Sequence, residues 1–323
     1  MVTRHRGKLT ADRRSILDRL VLWTALALIL AIVGFVSFYL ADRPRAGNPS
    51  TLGQDTARVE EAVRADPNDF GARVALAGLY YADRRYRESV EQYRAALTLK
   101  KDNVPALVSL GRALVAAHDP DGAIESLQKV IDAAKGADVA GDLVEAAYYY
   151  LGRAYMDKGQ ADQAISQLEH AVSISRSDSD AWYLLGDAYL QQGDLDQAIR
   201  SLTQAVLFVP DYAEAYDKLV VAYDRKGAAA EGHYARGMAA FARKRYSDAA
   251  KELQATLQAS PDLVVAQVGL GLVYESQGAH AQAAAAYQQA LRLEPSNFNA
   301  RAGLARLGRP LPAEPTTAPT VTP

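Results

Sequence analysis

Five histidines, His5, His118, His170, His233 and His280, are the side chains best suited to hold a metal or move a proton near neutral pH. None has a second histidine at i+3 or i+4, the convergence that a helical metal site needs. Cysteine is absent, which removes disulfides, zinc-thiolate sites and thiol nucleophiles together and leaves the redox compartment open. No G-x-S-x-G, Walker or dinucleotide glycine loop stands beside the strand that such motifs require, because hardly any strand pattern exists. Acidic residues such as Asp194 and Asp196 fit turns and helix starts. The chain therefore reads as a non-enzyme with no catalytic residue, no metal and no cofactor.

What remains is tyrosine. The stretch EAAYYYLGRAY, residues 145–155, sets three tyrosines in a row with a fourth five residues on. On a helix these point in different directions, so the elements that carry them decide their use.

A net charge of −2 and a pI near 6.2 give no basic surface for a nucleic-acid backbone, so no nucleic-acid partner is expected. The charge is uneven. Residues 1–19 hold Arg4, Arg6, Lys8, Arg13, Arg14 and Arg19 against Asp12 and Asp18. Residues 20–41, LVLWTALALILAIVGFVSFYLA, then run uncharged with Trp23 and Tyr39 near the ends. At about 1.5 Å per residue they reach a hydrocarbon core of about 30 Å. The expectation is a transmembrane helix in a cell membrane, crossed once, with the basic head 1–19 cytoplasmic and the remainder extracytoplasmic. A cleaved signal peptide is the rival, although the apolar run is longer than such a region needs. Ala27, Ala31 and Gly34 share one side of this helix and hint at a homodimer.

After a breaker-rich linker, 42–54, self-similar blocks begin. Aligned on a small residue, Ala77, Gly111, Gly152, Gly186, Val220, Gly237 and Gly271 recur at intervals of 34, 41, 34, 34, 17 and 34. Two further small columns follow: Ser89, Ala123, Ala164, Ala198, Ala249, Ala283, and then Ala96, Val130, Ala171, Ala205, Thr256, Ala290. Glycine inside a helix costs about 1 kcal/mol against alanine, so its repetition implies close helix crossing, small side chain facing small side chain. Asp121, Asp162, Asp196 and Ser247 stand where second helices should start and read as N-caps. Pro67, Pro210, Pro261 and Pro295 fall just past helix ends.

On these residues the chain resembles the tetratricopeptide repeat. AWYLLGDAYLQQGDLDQAIRSLTQAVLFVPD, residues 181–211, matches its W, L-G, Y, G, A and P pattern, and six helix pairs show it in whole or large part. Bacterial membrane-anchored members of that family are the nearest in layout. The resemblance implies an all-α fold, antiparallel helix pairs stacked into a right-handed superhelical solenoid whose concave face, lined by first helices, binds other proteins. Two intervals depart from the pattern. The interval of 41 inserts GADVAGDLV, and the interval of 17 follows the helix at 213–226 with another first helix instead of its partner. The reading divides the array into 55–226 with a terminal capping helix, a joint at 227–232, and 233–307 with its own cap. The alternative is that contact with the next helix replaces the missing partner. Residues 308–323, rich in Pro and Thr, should be a disordered tail.

Relative to Gly152, Tyr148, Leu151 and Tyr155 share the anchor's side and belong to the core. Tyr149, Tyr150, Arg153 and Met156 lie off to another side, which the resemblance places in the groove. The matching residues are Tyr183, Leu184, Asp187 and Leu190 in the fourth pair and Tyr234, Ala235, Met238 and Phe241 in the sixth. Tyr81, Val108 and Arg112 extend the surface through the first two pairs. Such a surface suits an extended or helical apolar segment of a partner protein, unless neighbouring first helices bury it. The known clamp for a C-terminal carboxylate is not matched, since Val74, Gly78, Ser109, Ala146 and Tyr150 occupy its positions. A scaffold for envelope assembly, secretion or quality control, a self-associating spacer, and a regulatory subunit of an enzyme all remain open.

Overall fold

The computed structural model describes residues 49–136 and 139–311. The expected membrane span, the basic head and most of the tail lie outside the described residues, and no described helix is long and apolar enough to cross a membrane. Every regular element described is an α-helix. A first helix, α1 (Pro49–Ala65), starts inside the segment read as linker and belongs to a unit ending at Ala65.

The second unit, from Asp66 onward, holds the other helices. They are α2 (Phe70–Ala82), α3 (Tyr86–Leu99), α4 (Val104–Ala116), α5 (Pro120–Ala134), α6 (Gly141–Asp157), α7 (Ala161–Ile174), α8 (Ser179–Gln192), α9 (Leu195–Phe208), α10 (Ala213–Lys226), α11 (Ala229–Ala242), α12 (Tyr246–Ala259), α13 (Val264–Ser276), α14 (His280–Leu293) and α15 (Phe298–Arg306). Each packs on its neighbours in sequence, extensively within the pairs α2/α3, α4/α5, α6/α7, α8/α9, α11/α12 and α13/α14 and to a like degree between α10 and α11. The part of the long insertion that is described lengthens α6 to 17 residues.

The glycines make these pairs possible, by a contact more specific than small against small. A Cβ added to Gly111, Gly152 or Gly186 would sit 2.4, 2.5 and 2.5 Å from Leu127, Leu168 and Leu202. At Gly237 and Gly271 the partners are Leu253 and Tyr287, at 2.8 and 2.3 Å. Each large side chain comes from the second helix, sixteen residues after its glycine, and is fully buried. The two small columns flank it and are fully buried as well, and in the first pair Ser89 donates its hydroxyl to the carbonyl of Ala77 at 2.8 Å. Where the anchor is Val220, the residue sixteen on is Arg236, so no leucine has to be accommodated.

The turn inside each pair is also fixed. Seven residues after the anchor the backbone turns left-handed, at Arg84, His118, Gly159, Gly193, Lys244 and Gly278, and the next N–H returns to a carbonyl five residues back. Gly227 has φ 75°, and Ala228 donates to Tyr223 in the same way. The junction between α10 and α11 is therefore an ordinary within-pair turn of two residues, and α11 begins at Ala229, inside the segment read as a joint. Helix α10 packs lengthwise on α11, which in turn takes α12 as its partner through Gly237 and Leu253.

The N-cap expectation is corrected. First helices are capped by Asp69, Asn103, Asp178 and Asn297, whose side chains accept from N–H groups two or three residues on. In the second helices it is Asp119 and Asp194, two residues earlier than expected, that cap. Asp121, Asp162 and Asp196 sit in the first turn and reach across to Lys158, Gln192 and Lys226 at the end of the next first helix. These carboxylates tie successive pairs together, and they sit at helix N-termini where negative charge is favoured.

Replacing Gly186 by Ala should destabilise the chain by about 1–2 kcal/mol, since overpacking against Leu202 outweighs the gain in helix propensity. Gly78→Ala, whose new methyl meets nothing closer than the Tyr93 hydroxyl at 3.9 Å, should stabilise it. Urea unfolding followed by circular dichroism checks both signs. Equal effects at the two positions would remove the glycine–leucine contact as the explanation.

Candidate functional site

First helices stand side by side: α4 touches α6, α6 touches α8, and α8 touches α10. Consecutive second helices make no comparable contact. The row of first helices is therefore the closely spaced side of the stack, and side chains from neighbouring repeats meet along it.

They meet as an aromatic strip with cations and carboxylates between. Tyr81 leaves the end of α2 with its ring 5.4 Å from that of Tyr86, a pairing repeated by Phe241 and Tyr246 at 5.8 Å. The Arg112 guanidinium lies 4.3 Å over the Tyr81 ring, and its charge opposes the rise that burial causes at the Tyr150 phenol. Tyr150 meets Tyr149 edge-on at 5.0 Å, and the charge of exposed Arg153 acts on the Tyr149 phenol. Tyr183 packs on Tyr212 at 5.2 Å, and Tyr212 donates to Asp180 at 2.8 Å. Burial pushes the Tyr149 phenol up to about 12, with the Asp180 carboxylate adding to the shift, so this ring stays uncharged across the physiological range. Burial likewise raises Tyr150 and Tyr183.

Other expected groove residues are placed differently. Val108 and Leu190 are buried in the core, and Leu184 and Met156 are half-buried against it. Asp187 is bridged by Lys218 of α10. In the sixth pair, Met238 and Ala235 are buried in one cluster with Tyr216, Leu219 and Ala222, and Tyr234 and Phe241 pack against it. These four residues lie against the contact between α10 and α11 and do not line an open groove. Burial takes the Tyr234 phenol up to about 12. Tyr148 and Tyr155 pack against two core clusters at once, and Tyr148 stacks on His170 at 4.8 Å.

The remaining charges at the first helices are largely paired. Arg243 takes Asp217, Arg236 takes Asp224, and Arg306 takes Glu275. His233 accepts or donates at 2.7 Å with Glu252, and among the described residues no group of side chains is arranged to hold a metal.

Two features were not legible in the sequence. The first is Glu145 on α6. One of its oxygens is buried without a partner, and the carboxyl meets Asp178, which already accepts from the N–H groups of Asp180 and Ala181. Burial, the bond to Asp178 and the nearby charges of Asp178 and Asp142 push Glu145 up to about 7. The second is a cleft of about 750 Å³ between α7 and α9, floored by Val172, Leu185 and Tyr189 with Trp182 and Phe208 at its edge. Beside it Ile174, Leu207 and Phe208 are 45%, 65% and 42% exposed. The Leu-Phe pair ahead of Pro210 was the signal available; the helical register that turns both outward was not.

Comparison with known proteins follows this geometry. Family models described as tetratricopeptide repeat match residues 57–106, 108–172 and 210–264, and others of the same description match 155–223 and 264–297. The chain belongs to the tetratricopeptide repeat family, an all-helical solenoid of the kind that serves as a protein-binding scaffold. No curated protein matches the chain. Among solved structures it is similar to the C-terminal part of a repeat protein from Cytophaga hutchinsonii, at 17% identity over 79% of this chain and 95% of that one, TM-score 0.49. It is also similar to YrrB, described as a TPR protein with an unusual peptide-binding site, at 22% identity over 64% and 95%, TM-score 0.43. The hetero-tetramer Cut9–Hcn1 matches at 18% identity over 79% of this chain and 46% of that chain's length, TM-score 0.45.

The Glu145 contact carries a pH signature. Below the ordinary value of 4.5 the carboxyl is protonated in both folded and unfolded chains; between 4.5 and about 7 only the folded chain keeps the proton. The folded state then binds more protons, so this group's contribution to stability declines as pH rises through that window. Glu145→Gln should flatten the decline and melt higher than the parent at pH 8. Thermal unfolding of both chains at pH 5 to 8 checks this, and parallel curves would exclude it.

Proposed function

We propose that the chain is a membrane-anchored scaffold that holds other proteins along the face of its first helices. The observation that carries the reading is the continuous strip Tyr81, Arg112, Tyr150, Tyr149, Arg153, which leads along the row to Tyr183. Tyrosine offers large contact area with little rotamer entropy to lose, and these rings are already held by their neighbours. Residues 20–41 anchor the repeats at the membrane, with residues 1–19 cytoplasmic and the repeats on the other side. The partners are proteins of envelope assembly, secretion or quality control, engaged through extended or helical segments.

A second reading has its own support. Ile174, Leu207, Phe208 and the Trp182 cleft give the second helices an apolar surface suited to self-association, so that the chain would space a membrane complex, with close approach of two spans through Ala27, Ala31 and Gly34.

Site-specific crosslinking in native membranes separates the two. Tyr149→Ala with Tyr183→Ala should weaken partner capture at least about tenfold, as hot-spot aromatics do. Phe208→Ser should leave it unchanged on the first reading and reduce crosslinked dimer on the second. Protease added outside intact cells should shorten the protein; full protection, with protease access demonstrated, would overturn the orientation.

A further inference from the structure

We propose that the part of the first-helix face spanning α4 and α6 takes an acidic segment of the partner, its carboxylates seated on Arg112 and Arg153. The inference rests on the reading of this face as the binding surface and names the chemistry it selects.

Lys218 is bridged to Asp187, Arg243 to Asp217, Arg236 to Asp224 and Arg306 to Glu275. Among the described residues Arg225 and Arg73 have no carboxylate, but Arg225 donates to the Leu190 carbonyl at 2.8 Å, at the negative end of α8, and Arg73 donates to the Pro67 carbonyl and the Gln92 amide oxygen. Each of these cations is already answered by the protein. Arg112 and Arg153 are not: among the described residues neither has an ion-pair partner, and their contacts are with tyrosines.

Both stand one residue after the glycine anchor, on helices that pack side by side. Packed helix axes lie about 8–10 Å apart, so the two arginines stand on adjacent helices of the row. Arg112 sits over the Tyr81 ring, and its buried Nε has no hydrogen-bond acceptor. Arg153 is exposed beside Tyr149. The carboxylate of Asp180, across from Tyr149, is taken by the Tyr212 hydroxyl. Flanking rings that exclude water strengthen any ion pair formed there. A guanidinium and a carboxylate meet through two parallel N–H···O bonds, so an acidic side chain satisfies each site in a way that an apolar one does not. Toward α10 and α11 the basic side chains Lys218, Arg236 and Arg243 have carboxylate partners of their own, which confines the acidic preference to repeats two and three.

The test pans a phage-displayed library of random 12-residue peptides on the full chain in detergent micelles and measures recovered peptides by fluorescence polarisation. Recovered peptides should be enriched in Asp and Glu. Their affinity should drop at least about tenfold in Arg153→Gln, further in the variant that adds Arg112→Gln, and fall with added salt. Arg243→Gln, which removes a paired cation, should leave it near the parental value. Should Arg112→Gln fail to fold by circular dichroism, the exposed Arg153 decides alone, with Arg153→Lys retaining part of the affinity. Peptides that depend on Tyr149 and Tyr183 but carry no acidic bias, or acidic peptides indifferent to Arg153, overturn the acidic preference and leave the binding face standing. Recovery of no peptide that depends on any of these side chains overturns both.

Discussion

Each of five helix pairs turns on the same contact, a leucine or tyrosine of the second helix seated where a glycine of the first has no side chain. The seat does two things. It brings the backbones close enough for the flanking small residues to be fully buried, and it fixes the rotation of each first helix about its axis. Everything on the opposite side of that helix follows from the rotation. Because Leu168 sits on Gly152, Tyr148 and Tyr155 are turned into the core and Tyr149 and Arg153 are turned toward the neighbouring first helices.

The turn is the second constraint, and it explains the half repeat. The left-handed residue seven places after the anchor recurs whether it is glycine, arginine, histidine or lysine, so the conformation is imposed by the pair and not by residue preference. Gly227 obeys it although the helix that follows is, by its own glycine, a first helix. Helix α11 thus closes against α10 on one face and against α12 on another. The cost is the surface that Met238 and Ala235 would otherwise present, which becomes core.

Polar groups between pairs are arranged with the same economy. Carboxylates in the first turn of second helices reach the end of the next first helix, and ion pairs link α8 to α10 and α10 to α11. These contacts are mostly at the surface, where a single pair contributes little, but they fix register from repeat to repeat. Against that background the guanidiniums of α4 and α6 have no carboxylate partner among the described residues, and the Glu145 carboxyl, with one oxygen buried and unpartnered, meets Asp178.

The sequence by itself determined the family and the helix pairs, because a period of 34 with glycine at one position and a helical spacing of 3.6 leave little freedom locally. It misplaced the second-helix caps by two residues, since Asp119 and Asp121 are equally plausible in one dimension and only the path of the turn selects between them. It left α10 without a partner, since a helix that serves two neighbours looks like one that serves one. The tertiary structure alone decided which groove residues remain open, whose charges are neutralised and where a buried carboxyl meets another. Those properties depend on distances between repeats, and a linear pattern that repeats identically carries no information about how one copy sits on the next.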